Sequence, residues 1–192
     1  MEPSKERASH VFMQSPPGTI YASETIASGY AAVWAKSNIR KDLFGTITRK
    51  ETYATAGSRI KLRFFGGSDF TKADLAENYV EIGYKRGVPM EGNLTPPTSE
   101  APSFLLHALM DPETGNLDRM QLVKGWVNED DSLDEKVYDV AWSGERKPDD
   151  KSKVPSVGNS VDLDNATWSN DIGATELKII WTDPNFDPAK ES

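Results

Sequence analysis

The stretch Thr48–Gly67, "TRKETYATAGSRIKLRFFGG", contains the change of pattern that decides how this chain is interpreted. It begins as the end of a helix, passes through a Thr/Ala/Gly/Ser turn and continues as an alternating strand. Beyond the turn, Ile60, Leu62 and Phe64 share one face while basic residues share the other, which is typical of a strand with one buried side. We interpret the stretch as a seam between a helix-containing region and an all-β region.

The segment before the seam carries the clearest helical pattern in the sequence and predicts a helix over residues 38–51. Ser37 or Asn38 can cap the first turn by accepting an orphan backbone N–H. The apolar residues recur at helical spacing and form one stripe. They are Ile39, Leu43, Phe44 and Ile47.

The region after the seam reads as a series of short strands separated by turns and polar linkers. Residues 102–110 are apolar on both faces, which favours a central strand between two packed layers. "DPETGNLD" at 111–118 has the composition of a hairpin-type turn rather than of a calcium loop. The predicted strands are 60–64, 78–90, 102–110, 119–127, 135–144 and 175–183, and the main linkers are 93–101 and 145–159. Strands without intervening helices indicate an antiparallel sandwich.

Composition excludes several classes of function. The 192-residue chain carries a net charge of −8, and residues 129–150 alone contribute −6, so a nucleic-acid interface is not expected. Because cysteine is absent, disulfides and thiolate sites are excluded. No apolar run approaches the length of a membrane span, and the first residues lack the apolar stretch of a signal peptide. We expect a soluble chain, and the sequence assigns no compartment.

Residues that could support catalysis are scarce. The two histidines are His10, in a predicted loop, and His107, which we interpret as a hydrogen-bonded histidine in the core or on a sheet face. This number is too small for a zinc site with several histidine ligands. We therefore assign no catalytic, metal-binding or cofactor-binding residue. The five tryptophans could line a sugar-binding face, although packing explains those on strands more simply. They are Trp34, Trp126, Trp142, Trp168 and Trp181.

Several stretches together resemble one protein family. Among them are "ERASHVF", "ASGYAAVWA", "GYKRGVPMEGNL", "EKVYDVAWSG" and, most specifically, "DPETGNLDRMQLVKGW". They are similar to the C-terminal part of the bacterial family called domain of unknown function 3604. That family is similar to the PHP (polymerase and histidinol phosphatase) superfamily of metal-dependent phosphoesterases. The resemblance covers nearly the whole chain.

The resemblance implies a fold of the α+β class, mainly β. Residues 1–66 would be the C-terminal remnant of a PHP-like (β/α) barrel, and residues 67–192 an accessory, antiparallel immunoglobulin-like β-sandwich. The superfamily's His and Asp metal motifs are not carried over, because no Asp-x-His pair occurs and the "GSD" at 67–69 is followed by Phe70. A divalent metal belongs to the parent family by resemblance, and we expect no cofactor in this chain.

From this we expect a fragment or accessory domain of a PHP-like hydrolase that is non-catalytic by itself. It would pack on the barrel domain or self-associate through apolar surface near Val33, Trp34, Leu43 and Phe44. Two alternatives stay open. One is an autonomous phosphoesterase that uses His10 and nearby acids, and the other is a carbohydrate-binding module.

Overall fold

The computed structural model describes residues 11–15, 18–21, 29–95 and 100–188, and this part of the chain is mainly β, as predicted. The strands are β1 Val11–Ser15, β2 Gly18–Tyr21, β3 Tyr30–Val33, β4 Thr52–Thr55, β5 Lys61–Gly67, β6 Val88–Pro89, β7 Ser103–Leu109, β8 Arg119–Val127, β9 Leu133–Trp142, β10 Val161–Asp162, β11 Thr167–Trp168 and β12 Glu176–Thr182. The helices are α1 Arg40–Thr48, α2 Tyr79–Arg86 and a 3₁₀ helix, Lys72–Leu75.

The centre of the fold is an antiparallel sheet with the strand order β12–β7–β5–β6. Strand β7 lies between β12 and β5, and its side chains are buried on both faces. Leu105 is fully buried on one face of the sheet, and Leu106 and Ala108 are buried on the other face. The prediction that residues 102–110 form a central strand is confirmed.

One face of the sheet is covered by the hairpin of β8 and β9. Met120 and Val140 of the hairpin pack with Leu106, Ala108 and Leu177 of the sheet in the larger hydrophobic cluster. A β-bulge between Met120 and Gln121 shifts the hairpin register. The acidic turn that joins the two strands is exposed, as expected for a solvated hairpin end.

The opposite face of the sheet is covered by α2 and the 3₁₀ helix. Phe65, Phe70 and Leu105 are the buried residues of this second cluster. The prediction of a strand over residues 78–90 is wrong, because residues 79–86 are helical. In such a short run, alternation and helical spacing both fit the apolar residues, and packing on the sheet selects the helix. Gly83 allows the close approach, since a Cβ there would lie 2.6 Å from the Phe65 ring.

Helix α1 is shorter than predicted and buries a different face. It spans Arg40–Thr48, and neither Ser37 nor Asn38 caps it, since Ile39 is the N-cap and no side chain bonds there. The Ser37 hydroxyl instead donates a hydrogen bond to Asp42 at 2.6 Å. Thr46 is the fully buried residue of the helix. The predicted apolar stripe is largely exposed: Ile39 by 54%, Phe44 by 70% and Ile47 by 54%.

The seam contains one element more than predicted. Between the helix and β5, residues 52–55 form β4, which pairs with β3, and the expected turn follows at residues 56–58. Strand β5 then pairs with β7 along its whole length. The sheet therefore runs across the predicted boundary between residues 1–66 and 67–192, and that division stays a prediction.

The 111–118 segment is a turn, as predicted, but not a hairpin turn. It joins β7 to β8, which lie in different sheets. The Asp111 carboxylate orders the turn by accepting bonds from the backbone N–H groups of Arg59 at 2.7 Å and Glu113 at 3.1 Å. The described strands form no closed barrel, and an immunoglobulin-like sandwich stays a prediction.

Candidate functional site

An open pocket of about 700 Å³ lies beside α1, and we call it the α1 pocket. Its walls come from α1, from the residues after β3, and from β5 and α2. Most of the residues that line the pocket are charged, and the others are aromatic, small or polar. The charged residues of the lining are Lys36, Lys41, Asp42, Arg49, Glu51 and Arg63, and Trp34, Thr46 and Tyr84 complete the polar and aromatic part.

The end of α1 directs Glu51 into the pocket. Lys50 has a left-handed backbone, with φ of 61°. The N–H of Lys50 bonds to the carbonyl of Ile47 at 3.0 Å, and the N–H of Glu51 bonds to that of Thr46 at 3.2 Å. These two bonds form a Schellman motif, in which the left-handed position is usually glycine. The motif reverses the chain direction and leads into β4.

Glu51 is buried and makes two strong hydrogen bonds. Its residue is 5% exposed. The Tyr84 hydroxyl donates to Oε2 at 2.5 Å, and Arg49 Nε donates to Oε1 at 2.7 Å. Burial by itself raises the pKa of Glu51, but the bonds from Tyr84 and Arg49 outweigh burial and lower it. The carboxylate is therefore charged and its charge is compensated within the network.

Tyr84 links this network to Arg63. Burial and the bond to Glu51 raise the pKa of Tyr84, so the phenol keeps its proton and donates a hydrogen bond to the carboxylate. The same oxygen accepts a hydrogen bond from Arg63 Nη1 at 3.1 Å. The Arg63 guanidinium carbon lies 3.5 Å from the centre of the Trp34 ring. Trp34 is itself held by a bond from its indole N–H to the Leu62 carbonyl at 2.9 Å.

A polar row crosses the sheet next to this network. Arg63, His107 and Lys178 are aligned on neighbouring strands by the registers of β5, β7 and β12. The hydroxyl oxygen of Tyr79 lies 2.6 Å from His107 Nδ1, and the two atoms share a hydrogen bond. Glu176 Oε1 lies 2.8 Å from His107 Nε2, but the angle between the two groups does not allow a hydrogen bond. Burial lowers the pKa of His107, against the opposing effect of Glu176. His107 is thus a hydrogen-bonded histidine on a sheet face, which is one of the two environments predicted for it.

The sequence did not single out the α1 pocket. Glu51 was placed inside the predicted helix, and Tyr84 was placed on a predicted strand. Arg63 is one of the basic residues on the face of the predicted strand opposite Ile60, Leu62 and Phe64. An acid between two basic or polar neighbours is common in solvent-exposed helix ends, so no local signal marks Glu51 as buried. The pocket exists because α1, β5 and α2 meet in the tertiary structure.

The other residues weighed from the sequence are not brought together. His10 lies outside the described residues. All five tryptophans are described, and Trp168 alone among them is mostly exposed, at 51%. Trp181 packs against the larger hydrophobic cluster, and Trp126 and Trp142 donate their indole N–H groups to Asn128 and to the Arg146 carbonyl. These positions do not form a shared aromatic platform.

The acidic segments are used for local structure. Asp69, of the "GSD" segment, pairs with Arg86 at 3.1 Å. Asp130, in the β8–β9 turn, accepts bonds from the N–H and the hydroxyl of Ser132. Within residues 11–15, 18–21, 29–95 and 100–188, no group of three or more His, Cys, Asp or Glu residues is placed to hold a metal ion.

Comparison with known proteins places the chain in a family. A family model described as "Protein of unknown function (DUF3604)" matches residues 1–192. The chain belongs to the DUF3604 family. No curated protein and no solved structure matches it. In the part of the chain that the structure describes, no helix is long and apolar enough to cross a membrane.

Proposed function

We propose that this member of the DUF3604 family is a non-catalytic accessory module of a PHP-like metal-dependent hydrolase. In this proposal, α1 docks on the catalytic domain of that hydrolase. The PHP relationship, the bacterial origin and the immunoglobulin-like character of the β region rest on the resemblance stated above and belong to the same proposal. The observation that carries the proposal is the exposed apolar surface of α1.

That surface consists of Ile39, Phe44 and Ile47, and we call it the α1 apolar face. Each of the three side chains is more than half exposed. Phe44 and Ile47 are three residues apart on the helix and are therefore neighbours on its surface. Burying a large apolar side chain is worth about 1.5–3 kcal/mol, so three such residues exposed together favour a covered state. In the absence of the catalytic domain, the same face would drive self-association.

The first experiment measures the molar mass of the purified chain by light scattering over a range of concentrations. The variants are the double substitution Phe44→Ser/Ile47→Ser and the matched control Val123→Ser/Leu133→Ser. Val123 and Leu133 are exposed by 59% and 79% on the β8–β9 hairpin. We expect the wild type and the control to self-associate and the α1 variant to remain monomeric. A wild-type chain that stays monomeric at high concentration would contradict the docking role of α1.

The second experiment tests the non-catalytic part of the proposal. Purified protein is analysed for bound metals and assayed for hydrolysis of generic phosphodiesters in the presence of added manganese or zinc. We expect neither stoichiometric metal nor turnover. Tightly bound metal together with turnover would refute the proposal and favour an autonomous hydrolase, and a His10→Ala variant would then show whether His10 is required.

A further inference from the structure

The α1 pocket carries more positive charge than its acids compensate. Four cationic side chains line it, against two carboxylates, in a chain whose net charge is −8. Glu51 is bonded to Arg49 and Tyr84, and Asp42 accepts a bond from Ser37. Within the described residues, no carboxylate lies within ion-pair distance of Lys36, Lys41 or Arg63. Of the four cationic side chains, Arg49 therefore makes an ion pair and these three do not, while the charge of Arg63 also helps to lower the pKa of Glu51.

Arg63 presents a fixed donor surface. Its guanidinium is stacked over Trp34, and one of its five N–H groups donates to Tyr84 within the part of the chain described. Stacking and the bond to Tyr84 limit the rotation of the side chain, so its remaining N–H groups are held in place before a ligand arrives. A planar guanidinium of this kind binds carboxylate or phosphate oxygens in pairs. Both acids that could compete for it are already bonded elsewhere.

We propose that the α1 pocket binds a small oxyanion, a group of the carboxylate, sulfate or phosphate type, between Arg63 and the two lysines. Arg63 supplies the oriented donors, Lys41 supplies charge from α1, and Lys36 supplies charge from the segment after β3. Because Glu51 is bonded to Arg49 and Tyr84, it does not form an ion pair with Arg63.

This inference goes beyond the proposed accessory role and is tested separately from it. Isothermal titration calorimetry measures the binding of inorganic phosphate, sulfate and malonate in three arms, at constant ionic strength with sodium chloride as the balancing salt. The arm with the tightest binding identifies the group that the pocket prefers. The same titrations on Phe44→Ser/Ile47→Ser separate this proposal from docking by α1, because oxyanion binding should persist in that variant.

Two variants locate the binding. Lys36→Gln/Lys41→Gln removes charge from the pocket, and Arg63→Lys keeps the charge but removes the planar donor. Each should weaken oxyanion binding by about tenfold. The control, Lys72→Gln/Lys85→Gln, changes the net charge by the same amount at exposed positions outside the pocket. Folding of each variant is checked by circular dichroism.

The proposal is overturned if none of the three anions gives saturable binding at millimolar concentration. It is also overturned if the control weakens binding as much as the pocket double variant, since the effect would then be general charge screening. Unchanged affinity in both pocket variants would place the anion elsewhere on the protein.

Discussion

Helix α2 packs closely on the central sheet at Gly83, and replacing this glycine by alanine tests the packing of the helical layer. A Cβ at this position would lie 2.6 Å from two atoms of the Phe65 ring and 2.8 Å from a third. Carbon atoms in ordinary contact are about 3.5–4.0 Å apart, so the ring or α2 must move by about 1 Å. Phe65 is only 1% exposed and its ring packs edge-on against Tyr84 at 5.1 Å, so little free space is available.

The expected magnitude follows from two opposing effects. Overpacking of a well-packed core costs about 1–3 kcal/mol, and three contacts below 3 Å place this substitution near the upper value. Alanine in place of glycine inside a helix returns about 1 kcal/mol. Gly83→Ala should therefore lower the free energy of unfolding by about 2 kcal/mol.

Gly45 provides a matched control in the other α-helix. A Cβ there would meet only the flexible end of Arg49, at 3.4 Å. Gly45→Ala should thus raise the free energy of unfolding by about 0.5–1 kcal/mol. Urea denaturation followed by circular dichroism measures both variants. If Gly83→Ala is as stable as the wild type, or is stabilised as Gly45→Ala is, the packing of α2 against Phe65 described above is refuted.

Two further substitutions examine the α1 pocket through stability. Glu51→Gln should lower the free energy of unfolding by about 1–3 kcal/mol at neutral pH, since it weakens two bonds to a buried carboxylate, whereas Glu81→Gln on the surface of α2 should change it by less than about 0.5 kcal/mol. The pKa of Glu51 is lower in the folded state, so its contribution to stability is complete above the unfolded pKa of about 4.3 and is lost as the pH falls through the folded pKa. The stabilities of the wild type and of Glu51→Gln should therefore converge in acid denaturation curves. A stability difference between them that grows on acidification would contradict this sign. Lys50→Gly should raise the free energy of unfolding by about 0.5–1 kcal/mol, because glycine adopts the left-handed conformation at the end of α1 without strain, and a loss of stability in urea denaturation would show that the Schellman motif does not form.

The strands of the sheet and of the β8–β9 hairpin were predictable because their patterns are local. The alternation in β8 and the doubly apolar run of β7 match the burial of these strands in the folded protein. The turn at 111–118 was recognisable for the same reason, since Asp111 bonds to a backbone N–H only two residues later. Residues 111–118 alone do not show which strands the turn connects, and the prediction of a hairpin was wrong.

The helices show the limit of such patterns. For α2, the run of Tyr79, Val80, Ile82 and Tyr84 fits either a strand or a helix, and Phe65 beneath Gly83 selects the helix. For α1, the pattern identified the helix correctly but not its buried side. Thr46 is buried and its hydroxyl donates a hydrogen bond to the Trp34 carbonyl at 3.4 Å, while Phe44 is exposed.

The sequence by itself determined that this chain is mainly β, that it lacks the histidines and cysteines of the common metal and thiolate sites, and that it resembles the DUF3604 family. The first two properties depend on composition and on local periodicity, and the resemblance depends on the quoted stretches of sequence; all of these are present in any conformation of the chain. Only the tertiary structure decided that Glu51, Tyr84, Arg63 and Trp34 form one network beside an open pocket. Tyr84 and Arg63 lie on α2 and β5, whereas Trp34 and Glu51 lie in the segments after β3 and after α1, and the contacts that couple them exist only after these parts of the chain have packed together.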